Sequence, residues 1–430
     1  MASALLESLL HGDDAGSRGP AWLADARRAA ASALAREGLP GARNEAWKYT
    51  SLRALEQSRP VRDAAAPSRV VEPSLFALPI DGPRLVFVNG IYRADLSSTD
   101  AIAGASISTL GATADAGLEP WRALLAREYA SADTAFARLN TALAADGPLL
   151  RIAPSARVEA PIHLVFVGAG RDIAWSARAL IELGERASLR VIEHHVGTDA
   201  AAQLGNVVVQ ASLGAGARLD VVQIQDSAAD ATLIRRSEYA LADDATLTSH
   251  VLEIGARLAR HDLDVDLRGR GARFVSRGVF ALRGRQHADT HLDIRHDARD
   301  TVSDIVWRGV ADERARGVFH GAITVAEGAD GADANLSNKN LLLSPNAEID
   351  TQPVLEIYAD EVKAAHGATV GQLDERALFY LRSRGLPLES ARHLLIAAFC
   401  AAALAEVPAD LRTHLETMLA TRLPQLGDAP

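Results

Sequence analysis

The chain has 430 residues, of which 48% are hydrophobic and 23% charged, with 32 Gly and 17 Pro. This is the composition of a globular protein large enough for more than one packed unit. A single cysteine excludes an internal disulfide framework, a self-contained CxxC zinc site and an iron–sulfur cluster held by four cysteines of one chain. A net charge of −10 with no Lys/Arg block argues against a broad nucleic-acid surface, which needs a basic face.

The N-terminus has no basic n-region before its short apolar run, so no secretory signal is expected. The longest apolar stretch, residues 394–405, is shorter than the roughly 18 residues of a membrane span, and a cytoplasmic location away from the membrane is expected. Residues 21–38 carry Trp22, Ala26, Ala29, Ala33 and Leu34 at helical spacing, with Pro20 before them and Gly38 and Pro40 at the end. Residues 56–80, rich in Pro and Ala, read as a linker or mobile loop. Residues 84–92 read as a strand and turn, and residues 118–145 as a helical passage.

From residue 147 to about 370 the chain turns to short Val-, Ile- and Leu-rich strands separated by Gly, Asp and Asn. A turn followed by Ala-x-apolar recurs in this stretch, with the apolar position at Leu189, Leu219, Leu247 and Phe274. The spacings are 219 − 189 = 30, 247 − 219 = 28 and 274 − 247 = 27. Stacked coils of a solenoid produce such a period, because each unit buries its apolar face only against its neighbours. A β-sandwich also has regular short strands, and the period favours the solenoid. Beyond it, Asp374 is placed to cap a helix that Gly385 ends and Pro387 blocks. Two more helices are expected over 388–406 and 410–423. The expected organisation is an N-terminal helical region with a linker and a short strand (1–146), a β-solenoid core (147–372) and a C-terminal helical region (373–430).

Candidate chemistry is sparse. On a strand, His287, Asp289, His291 and Asp293 share one face and Ala288, Thr290, Leu292 and Ile294 the other. The first set could bind a divalent metal, but an apolar face packed inward with a polar face in water accounts for the pattern better. His194 and His195 cannot share a strand face. No P-loop, complete dinucleotide fingerprint, GxSxG or HExxH is present. Only Lys48, Lys339 and Lys363 are lysines among 45 Lys and Arg. A compact ammonium differs from a planar guanidinium, so these positions stand out.

The segments around the three lysines, together with residues 317–325, 350–360 and 378–385, resemble the SufB/SufD family of iron–sulfur cluster assembly proteins. The likeness is densest over 301–400, and HisGlyAlaThrValGlyGlnLeuAsp (366–374) is similar to the D-type subunit. The resemblance implies a right-handed parallel β-helix between helical regions, and a non-catalytic scaffold that pairs with a SufB-like subunit and docks a SufC-like ATPase through its C-terminal helices. It implies that His366 faces the SufB-like partner, where an imidazole could ligate iron or handle protons at a transient iron–sulfur cluster. No cofactor bound stably by this chain alone is expected.

In the B-type subunit a cysteine stands about where Lys339 is, which makes Lys339 a secondary candidate, and a glutamate about where Gly367 is. Phe379, Tyr380, Arg382 and Arg384 fall on the helix expected to face the ATPase. Some family members carry a cysteine just before the histidine; here Ala364 and Ala365 occupy that place. Cys400, on an apolar helix, reads as an inert core residue. Two other readings are a β-helix carbohydrate-active enzyme using Asp289 and Asp293, and a homodimer of this chain in isolation.

Overall fold

The computed structural model describes residues 3–10, 19–63, 66–99, 101–198 and 202–423. Its centre is a β-solenoid of two facing parallel sheets. One runs through alternate strands from Pro148–Ile152 to Glu348–Ile357, the other from Ile162–Gly168 to Lys363–Gly371. Eight strands in each sheet make eight coils of two strands.

The sequence repeat is the register of this stack. Leu189 aligns with Leu219, Leu219 with Leu247 and Leu247 with Phe274, and all four are buried in one interior cluster. The corner before each repeat turns through positive φ at Arg186, Gly216, Asp244 and Gly271, which is why Gly and Asp punctuate the motif. The column then continues as Ser303, Ala334 and Ala364. Its bulk passes to Trp307 and Phe319, whose rings meet inside the solenoid at 5.4 Å.

Each sheet carries a second layer on its outer face. Leu5, Leu6, Leu34, Trp47 and Phe136 of the N-terminal region pack on Ala174, Leu204 and Ile234. Helices Leu388–Leu404 and Ala409–Arg422 lay Ile396, Cys400, Leu411 and Leu415 on Val222, Ile224, Leu252 and Val279. Burial pushes the Cys400 thiol up to about 12, as befits an inert core residue. Helix Ala21–Glu37 ends at Gly38, φ 78°, and Asp374 caps Glu375–Ser383 by accepting from the Arg376 amide at 2.8 Å. No helix among the described residues is long and apolar enough to cross a membrane.

Two expectations are corrected. The stretch 56–80 is built into the fold: Val61–Arg62 pairs with the strand Ile173–Leu183, and Phe76 is buried on a 3₁₀ turn. Ala64 and Ala65 lie outside the described residues. Residues 118–145 are helical only in pieces, the longest being Ala135–Leu143, with Pro120 inside a 3₁₀ turn.

Candidate functional site

The outward face of His287–His296 is wet at Asp293 and Arg295, as its alternation suggests, but its first half is covered. Ala288, Thr290, Leu292 and Ile294 do face inward and are buried, but Asp289 on the other face is only 1% exposed. Residues 43–52 cover it. Asn44 caps a 3₁₀ turn by accepting from the Ala46 amide at 3.0 Å, and this turn seats Trp47 against Phe136 and under the Arg260 guanidinium, 4.0 Å from the ring centre. Thr50 Oγ1 donates to Asp289 Oδ2 at 2.5 Å, and Arg260 Nη1 donates to the same oxygen at 2.6 Å. His291 Nε2 lies 2.9 Å from Oδ1. Arg260, His291 and Thr50 together hold the Asp289 carboxyl well below the usual range despite its burial.

The Trp47–Lys48–Tyr49–Thr50 segment is thus a clamp closing the N-terminal region onto the fifth and sixth coils, at Arg260 and Asp289. Asp289 is sealed, so it offers no acid to a polysaccharide. Among the described residues, no three His, Cys, Asp or Glu side chains converge as a metal site.

A second set of ionisable groups lies inside the solenoid, where sequence reading did not place it. His194 and His195 do point to opposite faces. His195 enters the interior, stacks on Phe166 at 5.1 Å and sits 2.6 Å from Glu193 Oε1. Arg235 reaches across from the other sheet. Its Nη1 is 3.6 Å from Glu193 and its Nη2 is 2.7 Å from His261 Nδ1 and 4.0 Å from Glu253. Burial raises the Glu253 carboxyl and drives the His261 imidazole far below its ordinary value. These partners are spread over successive coils, which no local spacing reveals.

The last coil differs from all the others. Lys363–Gly371 and Glu348–Ile357 end their sheets, each with a single neighbouring strand. His366 aligns with Leu336, which aligns with Ile305, so its imidazole stands on the inward-facing row of the solenoid. No coil follows, and His366 is exposed, as is nearly all of its strand. Val370 on the same strand, and Ile357 and Tyr358 at the end of the strand before it, leave further apolar surface exposed.

Lys339 points outward one strand back, aligned with Arg308 and Thr369, and is exposed. It does not share the row of His366. Helix Glu375–Ser383 buries none of its residues; Phe379 is 74% and Tyr380 57% exposed. Arg382 and Arg384 are exposed, and the Arg384 guanidinium lies over the Tyr380 ring at 5.2 Å. The first two site candidates therefore sit in the last two coils of the solenoid, Phe379, Tyr380 and Arg382 on the helix that follows it, and Arg384 at that helix's C-cap.

Two family matches cover most of the chain. Residues 166–399 match the family described as SUF system FeS cluster assembly, SufBD core domain, and residues 15–164 match the SufBD protein N-terminal region. The chain is similar to the iron–sulfur cluster assembly protein SufD of Escherichia coli (strain K12), 32% identical over 397 residues, 91% of each chain. It is similar to an iron–sulfur cluster assembly SufBD family protein of Synechocystis sp., 30% identical over 412 residues, 93% of this chain and 91% of the relative. The assembly protein SufB of Bacillus subtilis is 26% identical over 292 residues, 67% of this chain and 62% of the relative. On these matches the chain belongs to the SufBD family of iron–sulfur cluster assembly proteins of the SUF system.

Proposed function

We propose that this chain is a non-catalytic scaffold subunit of the D type, which pairs through the open end of its solenoid with a SufB-like subunit and carries a SufC-like ATPase on helix Glu375–Ser383. The observation that carries this reading is the uncovered last coil. A parallel strand with unpaired backbone groups and exposed faces is a template for another chain, whereas the other coils are closed above and below.

His366 then meets the partner with an imidazole that accepts iron or a proton, and sulfur ligands come from the partner, since Cys400 is sealed in a helix interface. The iron–sulfur cluster is transient cargo of the interface. Lys339 has a secondary part at the rim. Adjacent exposed aromatics flanked by Arg382 and Arg384 suit a protein contact, where Tyr, Phe and Arg are favoured. Nucleotide chemistry belongs to the ATPase and takes place in the cytoplasm. In isolation the same edge could close on a second copy of the chain, giving a homodimer that the B-type partner displaces.

The test is anaerobic co-expression with SufB-type and SufC-type chains followed by purification on a tag carried by this subunit. A stoichiometric complex, with Phe379→Ala/Tyr380→Ala losing the ATPase but keeping the B-type chain, is the expected result. Recovery of neither partner would remove the reading.

A further inference from the structure

We infer that Asn340, backed by Asn338 and Thr351, is a positioning residue that fixes the terminal strand Lys363–Gly371 and thereby the imidazole of His366. The functional half of this inference rests on the role proposed above for His366; the structural half does not.

Beyond its backbone ladder to Asp333–Leu342, the terminal strand has little else to hold it. It has one neighbour, and only Ala368 of its nine residues is partly buried. Directly beneath it the interior of the solenoid changes character. The inward rows Trp307–Asn338–Ala368 and Gly309–Asn340–Val370 replace apolar side chains with two carboxamides that are 0% and 2% exposed. Asn340 Nδ2 donates to Asn338 Oδ1 at 2.5 Å and to the backbone carbonyl of Thr369 at 3.1 Å. Asn338 Nδ2 returns a bond to Asn340 Oδ1 at 3.3 Å, and Thr351 Oγ1 on the opposite sheet donates to Asn338 Oδ1 at 2.8 Å.

The cradle is shaped for this pair. A Cβ on Gly309 would lie 2.2 Å from Asn340 Oδ1 and 2.1 Å from the Phe280 ring, so glycine leaves the space the amide occupies. The bond to Thr369 therefore ties the open strand to a layer buried on all sides, three residues from His366. Buried amides in a mutually satisfied network hold one geometry, since any shift leaves a polar group unpaired. The three residues come from two family-like segments, 335–343 and 350–360, which the coil stacks on each other.

The test uses the full chain and the variants Asn340→Leu, which removes the donor at similar size, and Thr351→Val, which removes only the buttress. Amide hydrogen exchange over 363–371 should rise about tenfold in Asn340→Leu and less in Thr351→Val, with strands 218–282 unchanged. The ¹H–¹³C resonance of the His366 ring should shift or broaden while that of His393 stays. In the anaerobic complex with SufB-type and SufC-type chains, Asn340→Leu should assemble but yield less cluster.

Wild-type exchange over 363–371 in both variants would overturn the clasp. Faster exchange with an unchanged His366 resonance and full cluster yield would overturn its positioning role. Failure of the wild-type chain to bind either partner would instead strike the proposed function, and the exchange data would still decide the clasp.

Discussion

The sixth and the last coils invert the usual relation between facing and burial. Asp289 points outward from the solenoid and is sealed, whereas His366 points inward and is open. The difference is what lies on top: a clamp of residues 43–52 on one, and no further coil on the other. In the covered coils Asp289 and Glu193 are buried against Arg260 and Arg235 and serve the fold. At the open end a histidine stands where a stacked repeat would normally bury an apolar side chain.

The comparison sharpens through substitutions in the covered part. Arg235→Met removes the cation between Glu193 and Glu253 and leaves carboxylates buried without it. It should cost about 4 kcal/mol in urea unfolding, provided the network acts as an ion cluster. A loss below about 1 kcal/mol would mean that the carboxyls are already neutral.

Asp289→Ala should cost about 3 kcal/mol and free residues 43–52, seen as increased Trp47 quenching. Unchanged quenching would show that the Trp47 contacts alone hold the clamp.

Acid should act on the covered coils first. Burial lowers the imidazoles of His163, His287 and His296 to about 4, below the roughly 6.5 of an unfolded histidine. Between those values the unfolded chain holds protons that the native chain does not. Stability is therefore full above about pH 6.5 and falls as pH drops toward 4, by up to about 1.4 kcal/mol per unit for each histidine. A melting temperature flat over that range would contradict these burials, and His296→Gln should reduce the slope.

Much of this architecture was legible in the chain itself. Leu189, Leu219, Leu247 and Phe274 stand in one column because coil length sets both their spacing and their register. The Asp374 cap was equally readable, since capping is local. The cover over Asp289 was not: Thr50 lies 239 residues away, and alternation on a strand reports facing, never what packs above. The interior ion cluster was hidden for the same reason, as Arg235 meets Glu193 from the opposite sheet. His366 was found through its motif, while its inward facing came only from alignment with Leu336.

At the open end the expected stability effect is the smallest and the functional one the largest. His366→Ala, on an exposed strand, should change unfolding free energy by less than about 0.5 kcal/mol. The decisive measurement is the iron and sulfide content of the anaerobically reconstituted complex made with this variant. The account predicts an intact complex with strongly reduced cluster, and an intact complex with wild-type cluster content would contradict it.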